Sequence, residues 1–99
     1  MAVAMLLEWA DMGESKYSKL IENLTLGGSM YTGAILHLAG PADGGWRVVD
    51  VWESQEAFDR FFADKLQDAV QATGIAPPSV QTWPVHAIMT PQGAPTPQK

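Results

Sequence analysis

Apolar and polar positions form six successive patterns, and each pattern predicts one element. Residues 2–9 carry apolar side chains on both faces until Glu8, which predicts a strand that is covered on two sides. From residue 15 to about residue 26, apolar side chains recur at helical spacing on a single stripe. Gly27 and Gly28 follow this stripe, so the first helix is expected to stop there.

The middle of the chain predicts a β-hairpin followed by a helix. Residues 33–39 and 46–53 are extended runs, and the six residues between them are rich in turn formers. Ser54 stands at the position of a helix N-cap, and Gly74 marks the helix end. The apolar stripe of this helix consists of Phe58, Phe61, Phe62, Leu66, Ala69 and Val70.

The last apolar run, residues 80–89, predicts a fourth strand. Pro84 lies inside it, and a proline cannot donate a ladder hydrogen bond, so this strand is expected at a sheet edge. Residues 90–99 contain three prolines and no large apolar side chain. We therefore expect one domain over residues 1–89 and a flexible Pro-rich tail over residues 90–99.

The order strand, helix, strand, strand, helix, strand predicts a ferredoxin-like α+β sandwich. Right-handed crossovers place the first and third strands in the centre of a four-stranded antiparallel sheet, with both helices on one face. The other face would carry Leu36, Leu38, Val49 and Val51. Because such a surface is too apolar for water, we expect a homodimer whose sheets pack face to face.

Composition removes several classes of function. The 99 residues include 6 basic and 11 acidic side chains, giving a net charge of −5, which disfavours binding to nucleic acid. No apolar run is long enough to span a membrane, and the first residues lack the basic flank of a signal peptide. The absence of cysteine excludes disulfides and thiolate chemistry. A cytoplasmic protein is the default expectation.

Residues 45–62 resemble the dimeric α+β barrel superfamily, within it the antibiotic biosynthesis monooxygenase-like group. The resemblance rests on a strand that ends in Trp52-Glu53-Ser54 and a helix that opens with Glu56-Ala57-Phe58. It implies a ligand pocket between sheet and helices, and a homodimer. The superfamily includes cofactor-free oxygenases, haem degraders, isomerases and lactone-forming enzymes.

The haem-degrading branch does not fit this sequence. Its members resemble the chain at Trp52, but they also use an Asn on the first strand and a His in the following helix. The first strand here has no Asn, and residues 54–73 contain no His. No cofactor is therefore expected.

Hairpin pairing points to a candidate acid–base pair. If Gly40 lies opposite Arg47, then His37 lies opposite Asp50, and Ile35 lies opposite Trp52. Directly opposite residues share a sheet face, so the two polar side chains would lie on the same face as Trp46, Val48 and Trp52. A carboxylate beside an imidazole orients the ring as a general base requires, so His37 and Asp50 are the candidate catalytic residues. The alternative is a structural pair that satisfies its own hydrogen bonds.

Aromatic side chains supply the candidate ligand contacts. The resemblance places Trp52 on the pocket wall, and the further candidates for substrate binding are Trp46, Phe58, Phe62 and Tyr17. Trp9 and Trp83 are expected to serve as core and interface residues. No metal site is expected, because His37 and the second histidine, His86, lie on strands at opposite sheet edges.

The sequence thus favours a cofactor-independent, monooxygenase-like enzyme that acts on a small hydrophobic or aromatic organic molecule. Two alternatives stay open. One is a non-catalytic ligand-binding or stress-related barrel, in which the His37–Asp50 pair is structural. The other is an isomerase or cyclase that uses the same residues without oxygen.

Overall fold

The computed structural model describes residues 1–24, 26, 30–89 and 91, which form one antiparallel sheet and a helical layer. The elements in chain order are β1 Val3–Trp9, α1 Glu14–Leu24, β2 Ala34–Ala42, β3 Gly45–Trp52, α2 Gln55–Phe61, a π-helical turn Phe62–Leu66, α3 Gln67–Thr73 and β4 Ser79–Pro84. The strand order is β2-β3-β1-β4. The predicted ferredoxin-like fold is therefore confirmed, with β1 and β3 in the centre.

The main hydrophobic core lies between the sheet and the helices. Alternation along β1 turns Met5, Leu7 and Trp9 toward the helices, where all three are buried. β3 contributes Trp46, Val48 and Trp52, and the helices contribute Leu20, Leu24, Ala57, Phe61 and Ala69. Because α1 also packs against α3, the helices form one layer over this face of the sheet.

The second helical segment begins and ends where the sequence predicts. The Ser54 hydroxyl accepts a hydrogen bond from the Ala57 backbone N–H at 3.1 Å, which caps the first turn. Gly74 ends the segment in the left-handed conformation, with φ of 75°. The sequence interpretation did not include the π-helical turn at Phe62–Leu66, which divides the segment into α2 and α3.

Two predicted boundaries are wrong. The first helix runs over Glu14–Leu24, not to residue 26, and its predicted stop at Gly27 and Gly28 lies outside the described residues. The last strand ends at Pro84, since only the Val85 N–H pairs further, with the Ala2 carbonyl at 2.9 Å.

Residues after β4 cross to the face of the sheet opposite the helices. There Val85 and Ile88 pack against a small buried cluster that contains Ala2, Ala4 and Val51. This packing explains why the apolar run continues past Pro84 although the strand does not. It also buries Val51, which was expected on the uncovered part of this face.

The rest of that sheet face remains apolar and exposed. Leu38 is 55% exposed opposite Val49, and Trp83 on β4 is 46% exposed. Trp83 was expected as a core or interface residue, and it is not part of the core, because it lies on an edge strand that is exposed along its whole length. Trp9 is buried as expected.

Two further observations concern the predicted tail and the possibility of a membrane-spanning helix. The predicted tail, residues 90–99, lies outside the described residues apart from Pro91. Within the described part of the chain, no helix is both long and apolar enough to cross a membrane.

Candidate functional site

The β2–β3 hairpin sets the positions of the two candidate acid–base residues. Asp43 and Gly44 both have positive φ in the turn, and Gly40 pairs with Arg47 as predicted. This register places His37 opposite Asp50, which confirms the predicted neighbours.

One hairpin pair was predicted wrongly. The register shifts between Ala34 and Leu36, so Ala34, not Ile35, lies opposite Trp52. Such a shift is a β-bulge, in which one extra residue on a strand is left out of the pairing. Ile35 packs instead on the cluster that contains Val51, on the face opposite the helices.

Four side chains form a continuous chain of hydrogen bonds on the helix-facing side of the sheet. The Trp52 indole Nε1–H donates to Asp50 Oδ2 at 3.4 Å. The other carboxylate oxygen, Asp50 Oδ1, lies 2.6 Å from His37 Nδ1. The Tyr17 hydroxyl, supplied by α1, lies 2.5 Å from His37 Nε2. We call these four residues the relay.

Donor and acceptor capacities fix the direction of the relay. An ionised carboxylate only accepts hydrogen bonds, so the Nδ1–H of His37 donates to Asp50. In the neutral ring, Nε2 is then the acceptor, and the Tyr17 O–H donates to it. The arrangement therefore holds His37 with its basic nitrogen directed at the tyrosine.

The relay lies between the core and the solvent. Asp50 is buried, and its side chain is 11% exposed, whereas the His37 side chain on the edge strand β2 is 34% exposed. Partial burial raises the pKa of the Tyr17 phenol above its ordinary value, and the Asp50 carboxylate raises this pKa further. Tyr17 is consequently a neutral hydrogen-bond donor near neutral pH.

A mostly apolar cavity of about 130 Å³ adjoins the relay between the sheet and the helices. All four relay residues are among its lining side chains. The remaining walls consist of Leu7, Trp9, Leu20, Ile21, Leu24, Leu26, Met30, Tyr31, Ala34, Leu36, Val48, Phe61 and Leu66. An engineered apolar cavity of about 150 Å³ binds benzene, so this space suits a single ring.

Solved structures with this architecture include proteins connected with oxygenation. SnoaB from Streptomyces nogalater, a cofactor-independent oxygenase whose point mutant was crystallised, is 13% identical with a TM-score of 0.64, over 89% of this chain and 96% of that chain. A candidate antibiotic biosynthesis monooxygenase from Chloroflexus aurantiacus is 18% identical with a TM-score of 0.64, over 90% and 98%. Rv0793 from Mycobacterium tuberculosis is 13% identical with a TM-score of 0.68, over 91% and 100%.

The chain shares the ferredoxin-like α+β fold of these solved structures. At these sequence identities the likeness concerns the fold and not the activity. No protein-family model matches the chain, and no curated protein matches it in sequence.

Only part of the predicted ligand wall lines the cavity. Trp52 and Tyr17 do, whereas Trp46, Phe58 and Phe62 do not. Trp46 packs behind the Tyr17 ring, with 5.2 Å between centroids, and Phe58 contacts Trp52 edge-on at 5.6 Å. Phe62 is 38% exposed, because helical periodicity turns its neighbour inward instead. Trp46 and Phe58 therefore support the wall rather than form it, and Phe62 is a surface residue.

Three aromatic residues outside the predicted ligand set also line the cavity, namely Trp9, Tyr31 and Phe61. Phe61 lies 5.0 Å from Trp52 between centroids, and the sequence marks it only as one member of the helical stripe. Tyr31 follows α1, and its hydroxyl donates to Asp64 Oδ2 in the π-helical turn at 2.8 Å. This hydrogen bond raises the pKa of the Tyr31 phenol, and no spacing in the sequence signals the contact.

The described residues contain no group of three or more side chains suited to hold a metal ion. The edge strands β2 and β4 are separated by β3 and β1, and His86 is exposed beyond the end of β4. His37 and His86 therefore lie at opposite edges of the sheet.

Proposed function

We propose that the chain is a cofactor-independent monooxygenase that oxidises a small aromatic molecule, with His37 as the general base and Asp50 as the group that orients it. The single observation that carries this proposal is the position of the relay beside an apolar cavity of single-ring size. A carboxylate-oriented imidazole next to an otherwise apolar wall suits removal of a proton from a bound organic molecule.

The reaction needs no group beyond the substrate, the protein and oxygen. His37 takes a proton from the substrate, and the resulting anion passes one electron to O₂. Recombination forms a carbon–oxygen bond and a peroxide, which loses water. A CH₂ group and O₂ thus give a C=O group and one water molecule, with His37 returning to its neutral form. The apolar walls exclude bulk water, which protects the anion from reprotonation.

Trp52 and Tyr17 are the proposed substrate contacts. Trp52 presents a flat apolar surface that is itself held by Phe58 and Phe61. A planar substrate could stack on this surface, because aromatic rings prefer offset or edge contacts at such separations. SnoaB supports the assignment as a cofactor-independent oxygenase with the same fold.

We further propose a homodimer through the exposed part of the sheet face around Leu38 and Trp83. Both side chains are apolar and about half exposed, and Val49 lies between the two strands that carry them. A second copy would remove this surface from water, in keeping with the usual symmetry of soluble oligomers.

Oxygen uptake tests the proposed function. The protein is incubated with a panel of single-ring phenols, hydroquinones and cyclic 1,3-diones in the presence of a chelator, and dissolved oxygen is followed with an electrode. We expect consumption that His37→Ala reduces by about 10²-fold or more, while His86→Ala leaves it unchanged, because His86 is exposed and outside the cavity.

Other outcomes would identify the alternatives. Substrate conversion without oxygen uptake would indicate an isomerase or cyclase. Saturable binding of panel compounds without any conversion would indicate a ligand-binding barrel, and oxygen uptake that is insensitive to His37→Ala would reject the proposed base.

A further inference from the structure

The basic nitrogen of His37 is already occupied. Its Nε2 accepts the Tyr17 hydroxyl at 2.5 Å, and its Nδ1 is held by Asp50. Tyr17 and His37 both line the cavity, but a molecule there can contact His37 Nε2 only by displacing the Tyr17 hydroxyl. The accessible end of the relay is the phenol oxygen, because that oxygen retains lone pairs after its proton is donated.

We propose that Tyr17 is the catalytic residue that exchanges a proton with the substrate, and that the substrate is a single-ring phenol or enol whose acidic O–H binds the Tyr17 oxygen. This inference rests on the proposed function, since it takes His37 as the final proton acceptor. In this inference Tyr17, not His37, touches the substrate. The substrate class narrows from small aromatic molecules to single-ring phenols and enols.

The proton transfer balances without an added reactant. The substrate O–H bond breaks as its proton passes to the Tyr17 oxygen, and the proton of Tyr17 passes to His37 Nε2. Tyr17 is neutral before and after the step. The products are a substrate anion and an imidazolium ion, and the Asp50 carboxylate stabilises the imidazolium. Because Tyr17 never carries a full negative charge, its raised pKa does not oppose the transfer.

The surroundings hold the Tyr17 ring in position for this role. It packs on Trp46 at 5.2 Å and lies nearly parallel to the His37 ring, with 10° between the planes. The other tyrosine in the cavity wall is not equivalent, because the Tyr31 hydroxyl donates to Asp64. Among the described residues that line the cavity, Tyr17 therefore carries the one hydroxyl that is bonded to an imidazole.

The size and polarity of the cavity support the substrate class. Its volume of about 130 Å³ suits one ring, and hydrocarbon and aromatic side chains form most of the wall. A ring with one hydroxyl would place its polar atom at the relay and its remaining surface against the apolar wall. A multiply charged ligand would leave charged groups against this wall without partners.

Tyr17→Phe is the decisive variant, because it removes one oxygen and retains the ring that packs on Trp46. With a phenol that the wild-type protein oxidises, we expect the kcat of Tyr17→Phe to be lower than that of wild type by about 10²-fold or more and its KM to change less. The double variant Tyr17→Phe/His37→Ala should be no slower than the slower single variant, since residues that act as a unit are not additive. Turnover by Tyr17→Phe within about threefold of wild type would overturn the inference and leave His37 as the direct base.

A bound probe gives a second readout that needs no turnover. The probe is 4-nitrophenol, whose ionised form absorbs visible light, titrated at a pH below its own pKa. We expect wild type to raise the phenolate absorbance on saturable binding, and Tyr17→Phe to abolish this rise. Equal ionisation in Tyr17→Phe, or no saturable ionisation in wild type, would overturn the inference.

His37→Ala separates this inference from the proposed function. If the probe still ionises in His37→Ala but not in Tyr17→Phe, Tyr17 contacts the ligand and the proposed base is wrong. If it ionises in Tyr17→Phe but not in His37→Ala, the proposed base is retained and the role of Tyr17 is rejected. Far-ultraviolet circular dichroism and thermal unfolding confirm that each variant is folded.

Discussion

Replacing Asp50 by Asn should reverse the direction of the relay without changing its shape. The indole N–H of Trp52 can only donate, so the new side chain must turn its amide oxygen to that side and its amide NH₂ to His37 Nδ1. Nδ1 then becomes an acceptor and Nε2 carries the proton. A protonated Nε2 cannot accept the Tyr17 O–H, so the base function is lost although the other side chains remain in place.

The effect on stability follows from the two hydrogen bonds to the carboxylate. A hydrogen bond to a charged group contributes about 1.5–3 kcal/mol and a neutral one about 0.5–1.5 kcal/mol. Because the His37 side chain is 34% exposed, solvent screens part of this difference. We therefore expect Asp50→Asn to lower the free energy of unfolding by about 1 kcal/mol. For a domain of this size, that corresponds to a fall in Tm of about 4–8 °C.

Nitrogen NMR of the imidazole rings provides the direct assay. The chain has only two histidines, so His86→Ala leaves the signals of His37 alone. At a pH where the ring is neutral, we expect the proton on Nδ1 in the His86→Ala background and on Nε2 when Asp50→Asn is added. Thermal unfolding of the same proteins gives the stability change. A proton on Nε2 in the His86→Ala protein would refute the proposed direction of the relay. A Tm that Asp50→Asn leaves unaltered would contradict the estimated strength of the hydrogen bonds to Asp50.

Three further predictions concern the same structure. Tyrosinate absorbance should show that both phenols ionise above the ordinary pKa of 10.0, and Tyr17→Phe should remove one of the two steps. Because the unfolded chain releases these protons at lower pH than the folded chain, the free energy of unfolding keeps its full value below about pH 10 and falls as the pH passes the folded pKa values. Gly33→Ala should lower the free energy of unfolding in urea by about 2–4 kcal/mol, because φ is +96° and the new Cβ would lie 2.8 Å from the Ala57 Cβ. A decrease below about 0.5 kcal/mol would contradict this packing. Leu38→Asp should change the sedimentation coefficient from that of a dimer to that of a monomer. Val80→Asp is the control, because Val80 is similarly exposed but lies on the helix side of the sheet, and it should leave the dimer intact. A dimer that persists in Leu38→Asp would place the interface elsewhere.

Local sequence signals were sufficient for the hairpin and its polar pair. The turn residues determine the register, and the register makes His37 and Asp50 neighbours because side chains alternate with a period of two. The bulge at Ile35 could not be predicted, since it depends on packing against residues that are distant in sequence. That local shift leaves the His37–Asp50 pair unchanged, because it lies on the far side of the pair from the turn.

Features set by contacts between elements were harder to predict. The apolar run to Met89 suggested a strand, but its second half packs on the sheet face instead of pairing at the edge. The contact of Tyr17 with His37 joins α1 to β2 across 20 residues, and no spacing in the sequence encodes it. Trp52 was expected as a ligand contact from the resemblance and Tyr17 from its residue type, but their connection through Asp50 and His37 required the fold.

The π-helical turn explains an irregularity in the spacing of inward-facing residues. From Ala57 to Phe61 the step is four residues, but from Phe61 to Leu66 it is five, which a regular α-helix cannot accommodate on one face. The wider turn absorbs the extra residue and returns α3 to the correct rotation about the helix axis. Deleting one residue from this turn should leave an ordinary α-helix with Leu66 still in the cavity wall. Asp64 would then lose the position from which it holds the Tyr31 hydroxyl.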